Sequence, residues 1–179
     1  MPKKVLIIST SMRANSNSEK LAAAFANGAK SVGNDVEIIS LRNKKIEFCK
    51  GCLVCHKIGK CIIDDDANEI NEKLCNAEIV VWATPIYFYE MSGSMKTMID
   101  RANALYNKDC MIRDVYLLST AAQNNENEDK GALNGVKCWI ECLKKPRFAG
   151  KILAGGVRMP NEIDNHTALK EAYKMGKNV

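Results

Sequence analysis

Apolar runs of strand length alternate along this chain with stretches whose apolar residues recur every three or four positions. Lys4-Val-Leu-Ile-Ile-Ser9 is a near-continuous apolar run of the first kind. In the next stretch Leu21, Phe25, Ala29 and Val32 share one helical face. Carried to the end, the pattern predicts strands over residues 4–9, 35–41, 77–84, 115–120 and 151–157. It predicts helices over residues 18–32, 67–75, 94–105, 131–144 and 163–177. Local punctuation agrees. Ser16 with Glu19 three residues on forms a capping-box signal, Gly33-Asn34 closes the first helix, and Pro85 ends the third strand.

Strands that are apolar at almost every position, separated by helices, belong to a parallel sheet covered on both faces. Right-handed crossovers then give a three-layer α/β sandwich. Five such strands fit the flavodoxin-like order 2-1-3-4-5, as one domain over residues 1–179. In that order a ligand crevice opens beyond the carboxyl ends of strands 1 and 3. Residues 42–66 carry no period, and an irregular stretch of that length is usually functional.

Two loops meet the expected crevice. The loop after strand 1, Ser9-Thr-Ser-Met-Arg-Ala-Asn-Ser-Asn-Ser18, carries hydroxyls, amides and one arginine into a helix start. A helix start offers free N–H groups and partial positive charge, so this turn suits a phosphate. Ser11, Ser18, Asn15 and Asn17 are the candidate donors, with Arg13 as counter-charge. The loop after strand 3, Pro85-Ile-Tyr-Phe-Tyr89, followed by Ser92-Gly93-Ser94, offers aromatic groups to a flat heterocycle. No GxxxxGK[ST] and no GxGxxG occurs, so a mononucleotide suits the crevice better than a dinucleotide.

Composition narrows this further. Net charge is +5 without a dense basic stripe, which points to a solvated surface rather than nucleic-acid binding. No apolar run approaches membrane-spanning length, and the expectation is a cytoplasmic protein without membrane contact. Four of the eight cysteines cluster as Cys49-x2-Cys52-x2-Cys55-x5-Cys61. That spacing suits one [4Fe–4S] cluster; free or oxidisable thiols and a four-thiolate zinc site stay open. Six basic residues flank the loop (Arg42, Lys44, Lys45, Lys50, Lys57, Lys60) against one acid, Glu47, and are expected to lower the thiol pKa values. Asp64-Asp65-Asp66 is expected to cap the next helix, and His56 to be an exposed loop residue. Cys75, Cys110, Cys138 and Cys142 are read as small buried hydrophobes.

The pattern Thr10-Ser11-x-Arg13-x-Asn15-x-Asn17-Ser18, with Thr84-Pro-Ile-Tyr-Phe88 and Ser92-Gly-Ser-Met-Lys96 followed by Ile99-Asp-Arg101, resembles the NADPH-dependent FMN reductase family of flavodoxin-like folds. The cysteine loop resembles that of its iron–sulfur flavoprotein branch. Met12 stands where the family often has proline. The resemblance implies FMN, its phosphate held by Ser11, Arg13, Asn15, Asn17 and Ser18. It implies an isoalloxazine lined by Pro85, Ile86, Tyr87 and Phe88, with Thr120 and Ala121 completing the pocket. It implies an oxidoreductase, with NAD(P)H as co-substrate, a small acceptor (flavin, quinone or oxygen) and no obligatory catalytic side chain. In the iron–sulfur alternative a ferredoxin supplies electrons through a cluster on Cys49, Cys52, Cys55 and Cys61. A homodimer or homotetramer is implied in either case. A reading of another class is a cysteine-loop redox sensor or metal-binding module.

Overall fold

A computed structural model describes residues 1–179. Five parallel strands form the sheet: β1 (Lys4–Ser9), β2 (Asp35–Ser40), β3 (Ile79–Tyr87), β5 (Asp114–Thr120) and β6 (Arg147–Ala154). They lie in the order β2-β1-β3-β5-β6. A sixth strand, β4 (Glu90–Met91), pairs antiparallel with the end of β3. The parallel strands therefore keep the expected flavodoxin-like order, and β4 is an addition to it.

Alternation along each strand sorts the core into two layers. Val5, Ile7, Val81 and Ala83 pack with α1 (Asn17–Ser31) and α6 (Thr167–Lys177) on one face. Leu6, Ile8, Val80 and Trp82 pack on the other face with α3 (Asp66–Asn76), α4 (Gly93–Arg101) and α5 (Lys130–Glu141). A Cβ on Gly28 of α1 would lie 2.0 Å from the Tyr173 carbonyl oxygen, and one on Gly176 of α6 would lie 2.0 Å from that of Phe25. Glycine at both positions is what lets the two backbones touch. No helix is long and apolar enough to cross a membrane.

Two expectations are corrected here. β3 does not end at Pro85 but runs on to Tyr87, with Pro85 in register with Thr120 of β5. β1 pairs only as far as Ala83, so the missing proline N–H leaves no gap on that side. Beyond it, Phe88 and Tyr89 make a two-residue turn with φ of 53° and 67° and send the chain back as β4. Such turns usually carry Asn-Gly, so an aromatic pair hides the signal. The dispersed cysteines are not all buried hydrophobes. Cys75, in the last turn of α3, forms a disulfide with Cys110 ahead of β5, and Cys138 and Cys142 are exposed thiols on and just after α5. Cys75, Cys138 and Cys142 lie in or next to amphipathic helices, where a cysteine fits either the buried or the open face.

Candidate functional site

The loops leaving β1 and β3 are fastened to each other by hydroxyl groups. Thr10 is fully buried; its Oγ1 donates to the Ala83 carbonyl at 3.0 Å and accepts from Ser92 Oγ at 2.9 Å. Ser94 Oγ donates to the Thr10 carbonyl at 2.6 Å. Ser92 Oγ also accepts from the Met95 N–H and so caps α4. The Ser-Gly-Ser stretch thus locks the crevice floor instead of facing a ligand.

Above that floor the first turn is held at both ends. Ser16 Oγ accepts from the Glu19 N–H at 3.2 Å, the expected cap of α1. Glu19's carboxylate faces Arg42 at 3.7 Å. Asn17 Nδ2 donates to the Met159 carbonyl at 2.9 Å, and Asn17 Oδ1 accepts from the Ile163 N–H at 3.3 Å. Its carboxamide is therefore spent on pinning the segment after β6. The N–H groups of Asn17 and Ser18 open a helix of 15 residues and have no acceptor within it. Arg13 Nη1 donates to the Arg158 carbonyl at 3.1 Å.

Ser11, Arg13, Asn17, Ser18, Pro85, Ile86, Tyr87 and Thr120, expected at the cofactor from sequence, come together on one cleft of about 220 Å³. Asn15, Phe88 and Ala121 do not border it. Asn15 sits at the turn with φ of 52°, and Phe88 projects into solvent, 98% exposed. Ala121 bonds to β6 through its N–H and the Ala154 carbonyl, leaving Ala122 to face the cleft. Ser16, Val157, Arg158 and Pro160 also border it and were not read from sequence. Arg158 lies between Gly155-Gly156 and Pro160, the punctuation that marks that segment. The lining holds two arginines and no Asp or Glu. Hydroxyls, a helix start and two guanidinium groups are the chemistry that suits an anion.

The second region is the cysteine loop. Between β2 and α3 it has only a 3₁₀ turn at Leu41–Asn43 and a single-turn α2 (Cys55–Ile58), closed by Gly59 at φ of 71°. Polar contacts hold the rest. Asp66 accepts from the Lys45 N–H at 2.7 Å, and Asp65 accepts from the Glu47 N–H at 2.9 Å. Asp65 also caps α3 through the Ala67 N–H, as expected for the acidic run. Cys49, Cys52, Cys55 and Cys61 all border one small cavity, shared with Arg101. Cys55 is buried and Cys61 half-buried; Cys49 and Cys52 are exposed. No three His, Cys, Asp or Glu side chains converge on a single-ion site.

The expected lowering of thiol pKa by the loop's basic residues is corrected at Cys55. Burial pushes its thiol up, and the charges of Cys61, Cys49 and Cys52 push the same way. Of the loop's basic residues only Lys50 borders the cavity. His56 is half-buried rather than exposed. Its ring stacks on Tyr106 at 5.1 Å, and Nε2 lies 3.0 Å from Asn103 Oδ1.

Known proteins resemble this chain. An iron–sulfur flavoprotein of Methanosarcina thermophila is 29% identical over 139 residues, covering 76% of this chain and 72% of that one. Another, from Methanocaldococcus jannaschii, is 36% identical over 102 residues, or 57% of this chain and 53% of the relative. In most matched iron–sulfur flavoproteins the aligned part is about half of the relative or less. A Bacillus subtilis protein named as an NAD(P)H-dependent FMN-containing oxidoreductase is 24% identical over 97% of both chains. Among solved structures, an NAD(P)H:quinone oxidoreductase from Methanothermobacter marburgensis superposes with a TM-score of 0.75. It is 17% identical and covers 99% of this chain and 97% of that one, a likeness of fold. The family model for NADPH-dependent FMN reductases matches residues 3–128, which include the β1 turn, the cysteine loop and the β3 hairpin, and the chain belongs to that family of flavin-dependent oxidoreductases.

Proposed function

We propose that the acid-free cleft takes FMN by its phosphate, and that the cysteine loop holds a [4Fe–4S] cluster exchanging electrons with it. The observation that carries the second half is the sharing of one cavity by four thiols and a buried arginine. A cubane gives each thiolate its own iron, so the sulfurs must surround a space rather than meet at a point. The donor set fits FMN as well. The N–H groups of Asn17 and Ser18 and the hydroxyls of Ser11 and Ser18 would hold the phosphate, with Arg13 and Arg158 supplying charge. Pro85, Ile86 and Tyr87 would flank the ring, and Thr120 with Ala122 would close the far side. Asn15 and Asn17 shape the turn, Asn17 by bonding across to the segment after β6. FMN bound there supplies the redox chemistry, passing electrons singly or in pairs.

A second reading has NAD(P)H as the donor and the loop cysteines as free thiols. It is favoured by the exposure of Cys49 and Cys52 and by the Bacillus relative, which matches over nearly its whole length. In both readings the chain works as a homo-oligomer passing electrons to a small acceptor.

Strictly anaerobic purification separates the two. About four irons and matching sulfide per chain, with one FMN, supports the cluster. Yellow protein without iron, bleached by NADPH under argon, supports the second reading. A colourless chain that does not take up FMN overturns both.

A further inference from the structure

Arg101 ends α4 and is 1% exposed, among the largest fully buried side chains of the protein. A buried guanidinium must be paired, and this one is paired closely. Nη1 donates to Asp65 Oδ2 at 2.6 Å and to the Glu47 carbonyl at 2.8 Å. Nη2 donates to Asp65 Oδ1 at 2.7 Å and to the Ile63 carbonyl at 3.2 Å. Asp65 lies with its side chain 1% exposed, so the ion pair is shut away from water.

Those four bonds use every N–H of the two terminal nitrogens. A guanidinium has a fifth, on Nε. Arg101 Nε is buried and has no hydrogen-bond partner. Orphaned buried donors are rare and call for an explanation. Here the surroundings give one, because Arg101 borders the cavity edged by Cys49, Cys52, Cys55 and Cys61.

We propose that Arg101 is a positioning residue for the cysteine site: Asp65 and two backbone carbonyls fix its guanidinium so that the Nε–H is kept for an anionic sulfur of the cysteine loop. The proposal rests on the cysteine loop's holding a thiolate-ligated metal group, as in the reading above. It adds the residue that orients that group and sets its electronic environment. Hydrogen bonds to cluster sulfurs are among the factors that set the potential of an iron–sulfur centre, and each favours the reduced, more negative state. The same donor would favour any metal bound through the loop thiolates.

The test compares the wild-type chain with Arg101→Lys, which keeps the charge and a bond to Asp65 but has no Nε–H. A double variant, Arg101→Gln with Asp65→Asn, replaces the ion pair by an amide pair and serves if the lysine variant does not fold. The first arm loads iron and sulfide anaerobically and measures the cluster's midpoint potential by EPR-monitored titration. The second arm adds cadmium alone to the iron-free, reduced chain and follows the thiolate-to-metal charge-transfer band. FMN affinity, read by flavin fluorescence, is the control for a misfolded site.

We expect either variant to hold the cluster at a more negative potential than wild type. We expect cadmium to bind on the order of 10-fold more weakly, the effect of one lost hydrogen bond to a charged group. FMN affinity stays within a factor of about two. Equal potentials and equal cadmium affinities in variant and wild type overturn the role of Arg101. A wild-type chain that takes up no iron overturns the cluster reading alone. The cadmium arm then decides on Arg101, a retained difference supporting its role and an equal affinity overturning it.

Discussion

The FMN cleft and the cysteine loop are built on opposite plans. The cleft stands on regular structure: two strand ends, a capped helix and a hairpin, tied together by Thr10, Ser92 and Ser94. Its ligand groups are left over after the fold is satisfied, as the free N–H groups at the start of α1 are. The loop has almost no regular structure to stand on. One buried ion pair, Asp65 with Arg101, and a few backbone bonds hold residues 44–66 against α4. A site placed by sheet topology tolerates the loss of one side chain, whereas a site held by one ion pair does not.

The largest expected effect follows from that contrast. Asp65→Asn leaves the Arg101 charge buried without its partner, and breaking a buried pair costs about 3–5 kcal/mol. For a chain of this size that lowers Tm by roughly 10 °C. FMN affinity at a temperature where the variant is folded stays within a factor of about two. A tenfold loss of FMN affinity would show that the regions are not independent. The acid limb adds a second check on the same residue. Burial raises the Asp65 pKa, but the bonds from Arg101, Glu47 and Ala67 outweigh it and leave the carboxyl below its ordinary value. Its contribution to stability is therefore complete above the unfolded value of about 3.9 and is lost as pH falls through the lower folded value. The gap between wild type and Asp65→Asn in urea melts narrows over that window.

Next in size is the charge of the cleft. Removing Arg13 and Arg158 together takes away both guanidinium groups from an acid-free lining. Charge-assisted bonds contribute about 1.5–3 kcal/mol each when shielded, and less where solvent reaches them. The double alanine variant should bind FMN roughly 100-fold more weakly, with much less salt dependence than wild type, and unchanged iron content. An unchanged dissociation constant by fluorescence titration would remove the phosphate from this turn.

How far each region could be read in advance follows the same division. Ser11, Arg13 and Ser18 were legible because the apolar runs fix the strand order, and the strand order fixes where a crevice opens. Arg158 was not, since it lies 145 positions from Arg13 and reaches the cleft only through the packing of β6 and Asn17. The cysteine loop was legible only as spacing. Arg101 was visible only as the end of the Ile99-Asp-Arg101 motif, and nothing periodic gives it a role or a buried position. Its burial is decided by Asp65, 36 positions away.

The smallest effect concerns the hairpin, where the two plans meet. Phe88 was expected against the flavin ring, yet it is exposed at a backbone φ of 53° that bulky residues seldom adopt. Tyr87, one residue earlier, borders the cleft. Asparagine tolerates the left-handed region, so Phe88→Asn should raise stability by about 0.5–1 kcal/mol and leave FMN affinity unchanged within a factor of about two. Tyr87→Ala should weaken FMN binding several-fold, because it removes an aromatic face from the ring's side of the cleft. A loss of FMN affinity in Phe88→Asn equal to that in Tyr87→Ala would mean that the turn folds over the bound flavin, with the strain at Phe88 then serving the cofactor.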